Sequence, residues 1–581
     1  MIVWLAALAV SAAGDLADLA HPRLWVTKAG EAKVRQTLAQ DPLAAKLHAA
    51  SLAEAEGVLK GRTCRYDIPD GKRLLGESRL ALHHVMHTAW AWRITGDEKF
   101  RLRAIAELDA ASALKDWNTS HFLDTAEMAT AVATGYDWLY ETLTPDQRSR
   151  YEQAIITKAL RPAKAIFDKG SGWSKPGNNW SQVCGAGIAL AAAAIAGHDE
   201  GLAEGLFTSG LDLVEKCGRF YQPDGMYPEG PGYWQYGTNF HVMMLAACEP
   251  LGRTTPKDPI MQAAGASIMH LTSPNRYSYN FADGGSGQAT PSAAQCWLAA
   301  TYQDAAQISH VRDLLTRALV EDKGKVADDR YFPLGIVWLP AAPSKPAPLP
   351  TAAVFHGEQP MALFRTGWES KATYLAIKGG TAAASHGHMD VGSFVFDAHG
   401  QRWLHDLGAE NYNLPGYFGN KRWTYYRLQN RSHNTLEIDG KLQNPRSKPC
   451  PLTASTLTGS PLKAAFDLTD SYVDAASKVI RSVEFDSAKG TTTVRDDITA
   501  PTGTVCWRAF TDAKVEIKGE QVILRNKDRQ ITLQRVSKSG TWSVAPATPP
   551  TPEESQNNKF SAITLTVPKA DQVDVVVEIR P

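Results

Sequence analysis

Residues 339–353, LPAAPSKPAPLPTAA, divide the chain into two different grammars. Proline lacks a backbone donor and has a fixed φ, so a stretch this rich in it sustains neither a helix interior nor a central strand. The stretch therefore reads as a linker, assigned to 341–353. Working outward towards the N-terminus, apolar residues recur at helical spacing near 81–94, 124–141, 149–168, 180–196, 201–217, 238–251, 259–272 and 292–320. Stop and start signals punctuate these runs. Gly96 is followed by Asp97, and Ala196-Gly197-His198-Asp199-Glu200 repeats the pattern. Thr144-Pro145-Asp146-Gln147 carries a capping box with proline in the first turn. Paired helices joined by tight turns predict a helical-hairpin array, a toroid or a solenoid, and no strict repeat favours the solenoid.

Towards the C-terminus the period changes to two. β-rich runs fall at Tyr374–Ile377, 393–396, 402–404, 435–438, 479–485, 491–494, 515–524, 531–536 and 573–579, separated by turns such as Asp439-Gly440 and Lys489-Gly490. These predict stacked antiparallel sheets. The domains expected are a helical unit at 15–340 and an antiparallel β unit at 354–581.

The 581 residues exceed what one core usually serves. Lys+Arg and Asp+Glu balance at 61 each, which argues against nucleic acid or an anionic membrane as partner. The opening MIVWLAALAVSAAG is apolar and ends in small residues, as a secretory signal over 1–14 would, so a periplasmic or secreted enzyme is expected. No run suffices for a membrane span. Seven scattered cysteines without a CxxC give neither a disulfide framework nor a thiolate metal site.

Chemistry-bearing residues gather in four places. The richest opens the β domain: Ser385-His386-Gly387-His388-Met389-Asp390, then His405-Asp406, then Ser432-His433-Asn434. In a strand, alternate residues share a face, so His386 and His388 are expected to point the same way. Two imidazoles and a carboxylate near strand ends suit a divalent metal, and His388, Asp406 and His433 are the expected ligands. Independent surface histidines are the competing explanation.

The second place is Asp224-Gly225-Met226-Tyr227-Pro228-Glu229-Gly230-Pro231-Gly232-Tyr233-Trp234-Gln235-Tyr236, a loop entering a helix near residue 233. Tyr233 and Tyr236 share a helix face, and the glycines beside Glu229 favour a cleft over plain core packing. The third is Asn178-Asn179-Trp180-Ser181-Gln182 at a helix start, where amides either cap the helix or present donors to a carboxylate. The fourth is Thr119-Ser120-His121, also opening a helix.

Together the motifs GNNWSQVCGAG, DGMYPEGPGYWQYGT, SHGHMDVGSFVFDAHGQRWLHDLG and YYRLQNRSHNTL resemble the heparinase II/III superfamily, which includes glycosaminoglycan lyases and related alginate lyases. The resemblance runs from about residue 80 to 440. It implies an incomplete (α/α) toroid followed by stacked antiparallel sheets, and a metal in the β domain, zinc first and manganese second. By motif position it implies that His388, Asp406 and His433 hold the metal and that His386 is a catalytic histidine. Asn179 matches an amide that handles the uronate carboxylate, the Tyr233/Tyr236 helix the catalytic tyrosine, and Tyr425 or Tyr426 a tyrosine of exo-acting relatives. One departure stands out: Trp180 follows Asn179 where alginate-lyase relatives have histidine. It lowers the standing of alginate as substrate and leaves His121 as a substitute imidazole.

The function expected is β-elimination on a uronate-containing polysaccharide, glycosaminoglycans such as heparan sulfate, hyaluronan or chondroitin ahead of alginate. Amides at Asn179, with Asn178 and Gln182 beside it, would stabilise the enolate-like charge, and Glu229 and His121 would line the sugar. One of Tyr233 and Tyr236 would be the base or the acid protonating the departing O4, with His386 serving the opposite face or the other sugar epimer. Arg422, with Arg427, would meet sulfate. The chain would act as a monomer or homodimer. Two rivals are a glycoside hydrolase using Asp137 with Glu229, and a glycan-binding protein without chemistry.

Overall fold

The computed structural model describes residues 15–198, 201–255, 257–289, 291–323, 325–345 and 347–581. The expected secretory signal lies outside them.

The helical half is a two-layered (α/α) toroid. Its inner helices pack in succession: Leu75–Thr95 on Phe122–Leu139, that on Asn179–Ala194, that on Pro231–Cys248, and that on Ala293–Tyr302. The short helix Phe332–Val337 touches both Ala293–Tyr302 and Leu75–Thr95, drawing the series back to its start. Outer helices such as Glu98–Ala113 and Leu202–Lys216 back this ring. The Ala-rich run after Asn179 is an innermost helix, buried on every side from Ser181 to Ala194, as a helix without a polar face must be. Its crossings are close: a Cβ on Gly187 would lie 2.8 Å from the Ala126 carbonyl oxygen. Gly96 closes its helix in the left-handed conformation at φ 73°, Asp97 caps the next, and the Thr144/Gln147 capping box forms as read. The run 292–320 is two helices, Ala293–Tyr302 and Ala305–Glu321, because Gln303 turns left-handed and Asp304 caps anew.

The β half is antiparallel throughout its three sheets, of five, eight and four strands. It starts at Ala352–Phe355, two residues before the expected boundary. The run 515–524 is a hairpin, Lys514–Lys518 against Gln521–Asn526, turning at Gly519 with φ 58°. Strands such as Met361–Arg365, Leu462–Asp467 and Val505–Thr511 escaped the sequence reading. Met361–Arg365 is buried along its whole length and shows no alternation.

A third apolar core joins the halves. Tyr221, Tyr227 and Trp234 pack with Phe355, Tyr374 and Val395. A strap from the helical half is pinned over the β domain: the Tyr279 hydroxyl donates to the Ser393 carbonyl (2.7 Å), Asn280 Nδ2 to the Asp406 carbonyl (3.3 Å) and Ala409 N–H to the Gly284 carbonyl (3.2 Å). Gly408, at φ 74°, meets this strap so closely that a Cβ would lie 2.6 Å from Gly284 O. The strap delivers Asp283 to the domain boundary.

All seven cysteines are unpaired. Among the described residues no helix is long and apolar enough to cross a membrane.

Candidate active site

Asp283 is the hub of the boundary. His386 Nδ1–H donates to its Oδ2 (2.7 Å) and His388 Nε2–H to its Oδ1 (2.9 Å). The hydroxyls of Tyr412 (2.9 Å) and Tyr417 (2.7 Å) donate to the same carboxylate, and Arg422 stands 3.6 Å away. Burial alone would raise the Asp283 carboxyl, but the bonds from His386 and His388 hold it well below the usual carboxylate range. Asp283 lies outside the four sequence clusters. Its signal was present in Ala282-Asp283-Gly284-Gly285, an acid in a glycine-rich loop.

His386 and His388 do converge, but the reason given from the sequence fails. Residues 381–390 form turns, not a strand. His386 has φ 60°, strained for a residue with a Cβ, and Ala282 on the opposing strap has φ 57°. The shared carboxylate, not strand alternation, aligns the two rings.

With Nδ1 spent on Asp283, His386 turns Nε2 to Glu229, 3.6 Å from its Oε2. Glu229 is gripped by Asn179 through the backbone N–H (2.8 Å) and side-chain Nδ2 (2.7 Å), and Ser385 Oγ donates to it at 3.2 Å. Tyr233 stacks on His386 with ring centroids 3.9 Å apart and planes 16° from parallel. Its hydroxyl lies 2.9 Å from that of Tyr412. Because Tyr412 donates onward to Asp283, Tyr233 is the donor to Tyr412. Burial pushes the Tyr233 phenol up to about 12. Asn179, Glu229, Tyr233 and His386 thus form one continuous wall drawn from both domains.

Asn179 is wholly buried, so its amide meets Glu229 rather than open space, and its Oδ1 has no partner. Asn178 is the N-cap of its helix, accepting from Trp180 N–H. Gln182 is a buried brace, donating to the Tyr221 hydroxyl (2.8 Å) and lying 3.2 Å from His241 Nδ1. The Tyr227 hydroxyl lies 2.8 Å from Gln182 Oε1 and 2.9 Å from Glu229 Oε1, linking brace to wall. His121 binds Asp124 (2.6 Å) and meets Trp180 edge-on. Tyr236 lies one turn from Tyr233, buried beside the guanidinium groups of Arg79 and Arg330. Tyr425 turns its hydroxyl to the Pro415 carbonyl (2.5 Å) and packs in a satellite cluster, so the aromatic neighbours of His386 are instead Tyr233, Tyr412 and Phe418. Arg422 reaches the site, donating to the Gly387 carbonyl at 2.9 Å, whereas Arg427 is tied to Asn557 and Ala409. Asp137, the hydrolase rival's second carboxylate, is committed to His21 Nδ1 (2.6 Å) and the Arg23 and Leu24 N–H groups (2.9 and 2.8 Å).

The three expected metal ligands neighbour one another. The His388 and His433 rings are 5.4 Å apart, and His433 Nδ1–H donates to Asp406 Oδ2 (2.8 Å). Among the described residues no three His, Cys, Asp or Glu side chains converge as a ligand set. The atoms left open are His388 Nδ1 and His433 Nε2, both buried without a partner. Two bare imidazole nitrogens are donor chemistry that fits zinc, and Asp406 stands where it orients one of the rings.

Residues 362–578 match the family model described as heparinase II/III-like, C-terminal. No curated protein sequence matches this chain. Among solved structures, heparinase III superposes with a TM-score of 0.65 at 15% identity, over 92% of this chain and 85% of its own. The heparan sulfate lyase of Pedobacter heparinus gives 0.58 at 14%, over 96% and 92%. The chondroitin AC lyase of Streptomyces coelicolor A3, solved with chondroitin sulphate, gives 0.53 at 14%, over 96% and 83%. At these identities the likeness is one of fold, and it runs through both domains of the heparinase-like architecture.

Proposed function

We propose that this protein is a polysaccharide lyase that cleaves a uronate-containing polysaccharide by β-elimination, with glycosaminoglycans as the leading substrate class. The observation that carries the reading is the Asp283–His386 pair facing the Asn179–Glu229 grip, with Tyr233 stacked against the imidazole. Elimination needs a carboxylate held by donors, a base for the C5 proton and an acid for the departing O4. The two N–H groups of Asn179 already hold a carboxylate, that of Glu229. When an acidic sugar binds, Glu229 swings aside and the uronate takes its place on the same fork. Asp283 keeps the His386 proton on Nδ1, so Nε2 carries the lone pair that takes the C5 proton. Tyr233, protonated at neutral pH because burial holds its phenol near about 12, delivers the proton to O4. The chain Tyr412–Asp283–His386 then returns to the Tyr233 phenolate a proton in exchange for the one that His386 took from C5, so that no proton is gained or lost over the cycle.

A zinc ion would be held by His388 Nδ1 and His433 Nε2, with Asp406 as orienting or third ligand; it would supply a fixed positive charge that braces the turn carrying His386. Metal analysis, with melting before and after chelation, tests this independently of activity. Export to the periplasm or medium completes the proposal.

The test is a panel of uronate polysaccharides followed by ultraviolet absorbance. A lyase leaves a conjugated C4=C5 bond, and a hydrolase leaves reducing ends without it. Chain cleavage lacking the absorbance, or tight binding with no cleavage, overturns the reading.

A further inference from the structure

A cavity of about 340 Å³ continues from the wall: Tyr233 and Asp283 line it together with Arg79, Tyr236, Asn239, Asp329, Arg330 and Tyr331. Four of its lining residues hold buried polar atoms with no partner: the Tyr236 and Tyr331 hydroxyls, Asn239 Nδ2 and Asp329 Oδ2. Buried polar groups are nearly always satisfied, so four around one void mark a place that something polar fills. The cations there are not fully spent either. Arg79 binds Glu127 only through Nε (3.0 Å), and Arg330 uses Nε and one terminal nitrogen (2.8 and 3.0 Å). Two guanidinium groups share one wholly buried carboxylate, leaving one net positive charge before Asp329 is counted. Burial raises the Asp329 carboxyl towards its neutral, donating form.

The geometry points to this cavity as a subsite for a second oxyanion, the carboxylate or sulfate ester of a sugar next to the one being cleaved. Guanidinium, phenol and amide donors around one cavity are the chemistry that captures such a group. The identity of the ligand rests on the lyase reading; the existence of an anion site does not. Tyr236, one turn from Tyr233, then serves binding, not proton transfer.

The decisive variant is Asn239→Asp. Asn239 Oδ1 accepts from Ala294 N–H at 2.9 Å, which aspartate preserves, while the unpartnered amide nitrogen becomes a repelling oxygen. Calorimetric titration of the full-length protein with inorganic sulfate and with glucuronate reads the site directly. Wild type binds at least one of them, and Asn239→Asp weakens that binding by about tenfold or more. Sulfate alone binding assigns a sulfated neighbour, glucuronate alone a second uronate, and both a general oxyanion site. Tyr331→Phe, which removes a hydroxyl without an internal partner, also weakens binding and guards against a misfolded first variant. Neither anion binding, or both variants binding as wild type does, overturns the proposal. On a cleaved polysaccharide both variants raise KM more than they lower kcat. Anion binding lost in Asn239→Asp, with no ultraviolet product from any polysaccharide, would leave the subsite standing and the lyase reading fallen.

Discussion

Two tyrosines one helical turn apart line one cavity but differ in how their hydroxyls are bonded. Tyr233 belongs to a wall in which His386, Tyr412 and Asp283 are bonded to one another and Glu229 stands 3.6 Å from His386 across the domain boundary. Tyr236 belongs to a cavity in which hydroxyl, amide and carboxyl atoms are left unpaired. A bonded wall fixes tautomers and proton positions in advance, which proton transfer needs. An unpaired cavity holds its hydrogen-bonding capacity for a ligand. The same helix therefore carries preorganised chemistry on one turn and unspent affinity on the next.

The strongest way to break this contrast is at the wall. His386→Ala is expected to lower kcat by about 10²–10⁴ with the melting temperature nearly kept, measured by ultraviolet turnover beside a thermal melt. Asp283→Asn is expected to do similar damage to turnover and also to cost about 3 kcal/mol or more in denaturant unfolding, because it strips a buried hub from two histidines, two tyrosines and a nearby arginine. A variant that keeps full activity would remove the wall from the chemistry.

The paired substitutions Tyr233→Phe and Tyr236→Phe sharpen it. The first should lower kcat by about 10² or more, while the second should act mainly on KM. Equal kcat losses would erase the distinction between the two turns.

Acid probes the brace behind the wall. Burial lowers His241 to about 4, so the fold holds it neutral while the unfolded chain protonates it near 6.5. Its contribution is fully present above about 6.5 and is lost as pH falls towards 4, at about 1.4 kcal/mol per pH unit. Melting curves from pH 7.5 to 5 should show this slope, flattened in His241→Gln. The smallest effect is expected in the cavity: Tyr331→Phe should alter the stability of the free protein by no more than about 0.5 kcal/mol, since its hydroxyl has no internal partner to lose.

Much of the fold was legible because it is written in local signals. The Gly96–Asp97 break and the Thr144 capping box are properties of neighbouring residues, and each appears where it was read, while the first strand starts two residues inside the expected linker. Strands without alternation, such as Met361–Arg365, were missed because burial on both faces removes the period. At the site, His386, Tyr233, Glu229 and Asn179 were named from motifs and do meet. Tyr425 and Gln182 were misplaced, since nothing local says which way a side chain turns.

The sequence by itself determined the two grammars, their boundary and the residue types that chemistry would need. Tertiary structure alone decided that Asp283, about a hundred residues before His386, would hold that imidazole, that Glu229 would lie on the Asn179 fork, and that Arg79 and Arg330 would meet over Glu127. Helix and strand periods act over a few residues, but hydrogen bonds between distant segments depend on how whole layers pack, and no local pattern encodes that.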